Sequence, residues 1–171
     1  MGLDVYALQI VGPGEADSDY LLKNVKDFEA RGDGIAHGWY ECKKIAPSAG
    51  TIHWSYGGYS WWREQLARFA HPDLHIPEGG TGYAKTHPYS TAIWANPAMT
   101  GAFVELISFS DCEGFIGPKT CAKLYRDFKA YETSFLDTHD DHYDCGRPYL
   151  AVMEALKAIV DSPSPAVLRF G

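Results

Sequence analysis

Residues 3–11 read LDVYALQIV, with Gly12, Pro13 and Gly14 directly behind them. β-Branched and aromatic residues lead into a turn that ends an extended segment. The stretch therefore reads as a buried first strand. The fold depends on the segments that pack against it. Residues 17–30 place Leu21, Leu22, Val25 and Phe28 on one apolar stripe, with Ser18 available as a cap, which predicts a helix. Segments 35–45 and 51–56 read as two strands joined by the loop 46–50, an arrangement that suits a hairpin.

Further along, YSWWREQLARFA (59–70) carries Tyr59, Trp62, Leu66 and Phe69 at helical spacing, and His71-Pro72 ends it. Residues 72–101 are rich in Gly, Pro, His and Thr. They read as a long irregular loop, with a short strand near 92–95, in the place a lid would occupy. AFVELISF (102–109) reads as the strongest strand in the chain. Residues 118–135 and 147–161 read as helices, and 166–170 as a final strand. This order predicts an α+β fold in a single domain, 1–171, with a mostly antiparallel sheet packed by about four helices.

The chain has 171 residues, 46% of them apolar and 22% charged, the profile of a globular protein with a substantial core. The formal charge is −7, and no basic cluster exceeds Lys43-Lys44, which argues against nucleic acid as a partner. No run is apolar and long enough for a membrane span, and the first residues do not read as a secretory signal. The four cysteines form no close CxxC pair. Reduced thiols in the cytoplasm are the simplest expectation.

Four stretches carry candidate chemistry. In FSDCEGFIGP (109–118), Pro118 suits a first helical position, and Asp111 and Glu113 suit the approach to a helix amino terminus. The stretch is thus either a capped acidic turn or a site. As a site, its two carboxylates could hold a divalent cation, position a water or receive hydrogen bonds from a ligand. In HWSYGGYSWWREQLA (53–67), Tyr56, Tyr59, Ser60 and Arg63 lie near a helix start. A guanidinium beside an aromatic face suits a carboxylate, a phosphate or a nucleobase.

DTHDDHYDC (137–145) offers Asp, His and Cys groups in no standard zinc spacing, and reads as a solvated connection between helices. GGTGYAKT (79–86) approaches a phosphate-binding loop, but Ala84 replaces its second glycine and no buried strand precedes it.

The start MGLDVY, with SYGGYSWWREQLA and ELISFSDCEGFIGP, resembles a group of small uncharacterised bacterial and phage proteins with no known activity. The resemblance implies a cytosolic, phage-related setting and carries over no site residues.

The leading expectation is a small-ligand-binding protein, sequestering or regulatory in role. Its site would combine Tyr56, Tyr59 and Arg63 with Ser110, Asp111 and Glu113. One alternative is a metal-assisted hydrolase using Asp111 and Glu113 with His37 or His139. Another is a protein–protein inhibitor, which predicts an exposed Trp/Tyr patch. The partner is accordingly a small molecule or a protein. The residues specify no cofactor, no catalytic group and no oligomeric state.

Overall fold

The computed structural model describes residues 2–16, 20–22, 32–46, 52–109, 114–139 and 145–171. The first strand, β1 (Gly2–Pro13), is the strand on which the sheet is built. β2 (Tyr20–Leu22), β3 (Gly38–Lys44), β4 (Ile52–Ser55), β5 (Gly114–Ile116) and β6 (Ala166–Phe170) complete it. The order is β2-β3-β1-β6-β5, with β4 also paired to β1. Every pairing is antiparallel.

The expected hairpin of 35–45 with 51–56 does not form. β3 and β4 both pair with β1, laid end to end along the same strand. β3 takes Leu8 to Pro13 and β4 takes Gly2 to Val5. The Ile45 N–H bridges the gap by donating to the Ala7 carbonyl at 3.1 Å. A 12-residue strand is long enough to satisfy two short partners in turn.

Alternation along β1 separates two cores. Leu3, Val5 and Ala7 face the main core, and Leu8 faces a smaller cluster with Leu22, Phe115 and Val167. Burial on both faces explains why LDVYALQIV is almost continuously apolar.

Six helices complete the described architecture: α1 (Tyr56–Ala70), α2 (Tyr83–Thr86), α3 (Pro88–Trp94), α4 (Val104–Ile107), α5 (Pro118–Thr138) and α6 (Gly146–Val160). The three long ones, α1, α5 and α6, are those the periodicity predicts, and the α+β fold is as expected. α1 begins three residues before the expected start. Ser55 caps it, its hydroxyl accepting from the Gly58 N–H at 3.0 Å, so Gly57 and Gly58 lie inside the first turn. On α5, Cys121, Leu124, Phe128 and Phe135 are buried, whereas Tyr131 is 38% exposed. The core between these helices is aromatic: Phe128 packs at 4.9 Å from Phe103, 4.5 Å from Tyr149 and 6.3 Å from Trp62.

Three further expectations are corrected. Residues 20–22, inside the expected helix 17–30, form β2 instead. The strand period sends Leu22 into the smaller cluster, and the rest of that helix lies outside the described residues. Residues 102–109 are not a strand but contain the helix α4. Phe103 adopts left-handed backbone (φ 61°), and its N–H donates to the Asp127 carboxylate at 3.0 Å. Lys123 joins that clamp, donating to the Gly101 carbonyl and bridging to Glu105 and Asp127.

The short strand expected near 92–95 is part of α3, so the segment 72–101 carries two helices. The unexpected strand β5 separates residues 110–113 from α5. Among the described residues, Asp33 places a carboxylate at the amino end of α5, accepting from the Thr120 N–H at 2.8 Å, and Asp111 and Glu113 lie outside them.

Candidate functional site

Helix α1 turns two charged side chains into the protein, Arg63 and Glu64, both buried. A buried charge persists only where hydrogen bonds replace its water. Glu64 meets that demand at the start of α3. Its carboxylate accepts from the Ser90 N–H (2.9 Å), the Ser90 hydroxyl (3.0 Å), the Tyr89 N–H (3.2 Å) and Arg68 Nε (2.9 Å). The side chain at the N-cap of α3 makes no capping bond, so Glu64 supplies from a neighbouring helix what the local sequence lacks.

Arg63 points at the end of α4. Its Nη1 donates to the Phe109 carbonyl at 2.5 Å and to the Ile107 carbonyl at 3.4 Å, and Nη2 donates to Ser60 Oγ at 3.4 Å. The guanidinium lies over the Tyr59 ring at 4.4 Å and over the Trp94 ring at 5.1 Å. The Trp94 indole N–H donates to the same Ile107 carbonyl at 3.0 Å, which fixes the ring against α4.

Outside this buried cluster the rings continue to the surface. Tyr83 stacks on Trp94 with centroids 6.2 Å apart and planes within 17°. His87 stacks on Tyr83 at 4.2 Å, within 5° of parallel. Its Nδ1 lies 2.8 Å from Thr86 Oγ1. Tyr83 is 40% exposed and Trp94 43% exposed. Inward, Tyr59 lies 5.1 Å from Trp54, which lies 5.1 Å from Trp62. The result is a run of rings from solvent to core, with a guanidinium inside it.

The candidate residues from the sequence distribute unevenly over this arrangement. Tyr59 and Arg63 are buried within it, and Tyr56 is exposed at the start of α1. Ser110, Asp111 and Glu113 lie outside the described residues. The Arg63 side chain of α1 meets the chain ahead of them by donating to the Phe109 carbonyl.

His37 and Glu41 are exposed on and before β3. His139 ends α5, its Nδ1 2.9 Å from the Phe135 carbonyl and its ring stacked 3.9 Å from Phe135. Among the described residues no three His, Cys, Asp or Glu side chains gather as a metal site would require. The phosphate-loop-like segment leads into the four-residue α2, without a preceding strand.

Trp94, Tyr83 and His87 were not singled out from the sequence. The available signal was the i, i+4 spacing of Tyr83 and His87. Pro88 between Lys85 and Trp94 obscured it, because it divides the segment into two helices too short to show periodicity.

No family model, curated protein or solved structure matches the chain. No described helix is long and apolar enough to cross a membrane.

Proposed function

We propose that the protein binds a small flat ligand on the shelf formed by Tyr83, His87 and Trp94, in a sequestering or regulatory role and without catalysis. One observation carries this reading. Two large rings are each about two-fifths exposed while being held nearly parallel and anchored to the core through the Ile107 carbonyl and Arg63. A preorganised aromatic surface loses little entropy when a flat molecule settles on it. Tyr59 and Arg63 position the shelf from beneath. Tyr56, Ser110, Asp111 and Glu113 remain the candidate polar contacts for the ligand.

The test is calorimetric titration with a panel of flat aromatic molecules, on the wild type and on Trp94→Ala. Binding that Trp94→Ala removes supports the shelf. Binding that survives the substitution unchanged places the ligand elsewhere.

The same exposed rings favour a second reading, a protein partner docking through a Trp/Tyr patch. Capture of a protein from lysate that Trp94→Ala abolishes, with no small-molecule binding, would select it. The metal-assisted hydrolase expected of Asp111 and Glu113 gains no support from the described histidines. His37 is exposed and His139 is engaged with Phe135.

A further inference from the structure

The smaller cluster lies on the sheet face that also carries a half-buried guanidinium, that of Arg169 in β6, which stands opposite Tyr6 of β1. Its Nε donates to the Leu21 carbonyl of β2 at 3.3 Å, a contact between residues 148 positions apart. The guanidinium lies over the Tyr6 ring at 5.9 Å and over the Tyr20 ring at 5.6 Å. Both tyrosines pack against Leu8, Leu22, Phe115 and Val167. Two aromatic faces and one carbonyl therefore hold the plane of the guanidinium.

Arginine has five N–H donors, and the Leu21 bond uses only the one on Nε. Among the described residues no carboxylate pairs with Arg169. Acids are not scarce, since 22 Asp and Glu stand against 15 Lys and Arg. The Asp4 carboxylate beside Tyr6 is engaged by the Tyr6 hydroxyl and His53. A Cβ at Gly171 would lie 3.0 Å from Cζ, 3.0 Å from Nη1 and 2.8 Å from Nη2 of Arg169. These near-equal distances place Gly171 over the flat of the guanidinium and off its Nη edge. Lys44 brings a second positive charge, its ammonium 4.2 Å from the centre of the Tyr6 ring.

A half-buried guanidinium is stabilised by an anion that receives its two Nη groups in parallel. We propose that Arg169 is an oxyanion-binding residue. Its Nη fork receives the carboxylate or phosphate of a small molecule, with Tyr6 and Tyr20 as walls and Lys44 as supporting charge. The site is separate from the shelf at Trp94 and stands whether or not the shelf binds a ligand.

The full chain would be titrated with sodium phosphate and, separately, with sodium benzoate, at an ionic strength held constant with sodium chloride. The Nε–H resonance of Arg169 would be followed by NMR, with that of Arg68, which donates to Glu64, as the internal control. A saturable shift at Arg169 with at least one anion, and none at Arg68, is expected. Arg169→Lys keeps the charge and loses the fork, and should weaken binding by about tenfold. Arg169→Gln should abolish it. Circular dichroism melts would show that each variant keeps the fold, and the wild-type resonance decides if Arg169→Gln does not.

Saturation by phosphate alone would assign the site to phosphate esters, and saturation by benzoate alone to aromatic carboxylates. No saturable shift with either anion would overturn the proposal. So would equal shifts at Arg68 and Arg169, the mark of general screening, or binding that Arg169→Gln leaves unchanged.

Discussion

The guanidinium of Arg63 reaches across from α1 to the carbonyl of Phe109 at 2.5 Å, wholly inside the protein. That bond ties the helix carrying the aromatic cluster to the chain just ahead of residues 110–113. The carbonyls of Phe109 and Ile107 lie at the end of a four-residue helix, beyond the reach of its own N–H groups.

Arg63→Met keeps the aliphatic stem and removes the donors. The Ile107 carbonyl retains Trp94, but the Phe109 carbonyl loses its Arg63 bond. The expected cost is about 1–3 kcal/mol. Urea unfolding measures it, and an unchanged midpoint would mean that the guanidinium does not organise this region.

Glu64→Gln leaves one accepting oxygen and turns an NH2 group toward donors. Tyr89, Ser90 and Arg68 then compete for a single acceptor. A loss of about 1–3 kcal/mol is expected. Amide exchange should quicken at Tyr89 and Ser90 more than in α5, because the damage falls at the start of α3. Uniform quickening across the chain would contradict a local clamp.

Asp4 sets an acid response. The Tyr6 hydroxyl donates to its carboxylate at 2.9 Å and His53 lies 2.5 Å away, and these partners hold Asp4 below its ordinary value of 3.8. A carboxyl lowered in the folded state stabilises the fold above that ordinary value. The contribution disappears as pH falls through the lowered one. The stability of Asp4→Asn should therefore fall less steeply than the wild type below about pH 4. Its exposed setting keeps the effect small. Parallel stability curves for the two proteins through the acid range would show that Asp4 makes no such contribution.

Gly117 admits no side chain. A Cβ there would lie 2.6 Å from the Gly32 carbonyl oxygen and 2.8 Å from Asp33 Cβ. The φ of −77° suits any residue, so close approach and not backbone strain demands glycine. Gly117→Ala should cost about 1–3 kcal/mol and disturb the Asp33–Thr120 contact. A variant as stable as the wild type would show that the 32–33 turn yields freely.

The parts of the fold legible in the sequence were those with a long period. YSWWREQLARFA and the helices after Pro118 and Gly146 repeat their apolar residues over several turns, and LDVYALQIV is closed by a turn. AFVELISF misled for a definite reason. Val104, Leu106, Ile107 and Phe109 are all buried with only Glu105 among them turned toward a partner charge, so a helix this short shows no helical period. Its conformation comes from the left-handed Phe103 and the Lys123–Asp127 clamp, neither of which has a local signature.

The candidate site was half legible. Arg63 beside Tyr59 was foreseeable from one helical turn of spacing. That Arg63 would be buried, and that Trp94 would close over it, depends on the fold of 72–101, where Glu64 holds α3 from a distance.

The pairing of β1 with β6 also governs how the chain is made. Val5 lies opposite Phe170, so the middle of the sheet joins residues from the two ends of the sequence. During synthesis, β1 waits for β6 until every strand and helix between them has been translated. One backbone edge of β1 stays open through that interval, an invitation to wrong pairing. A ribosome stalled before residue 166 would display a chain whose central strand has only one side filled.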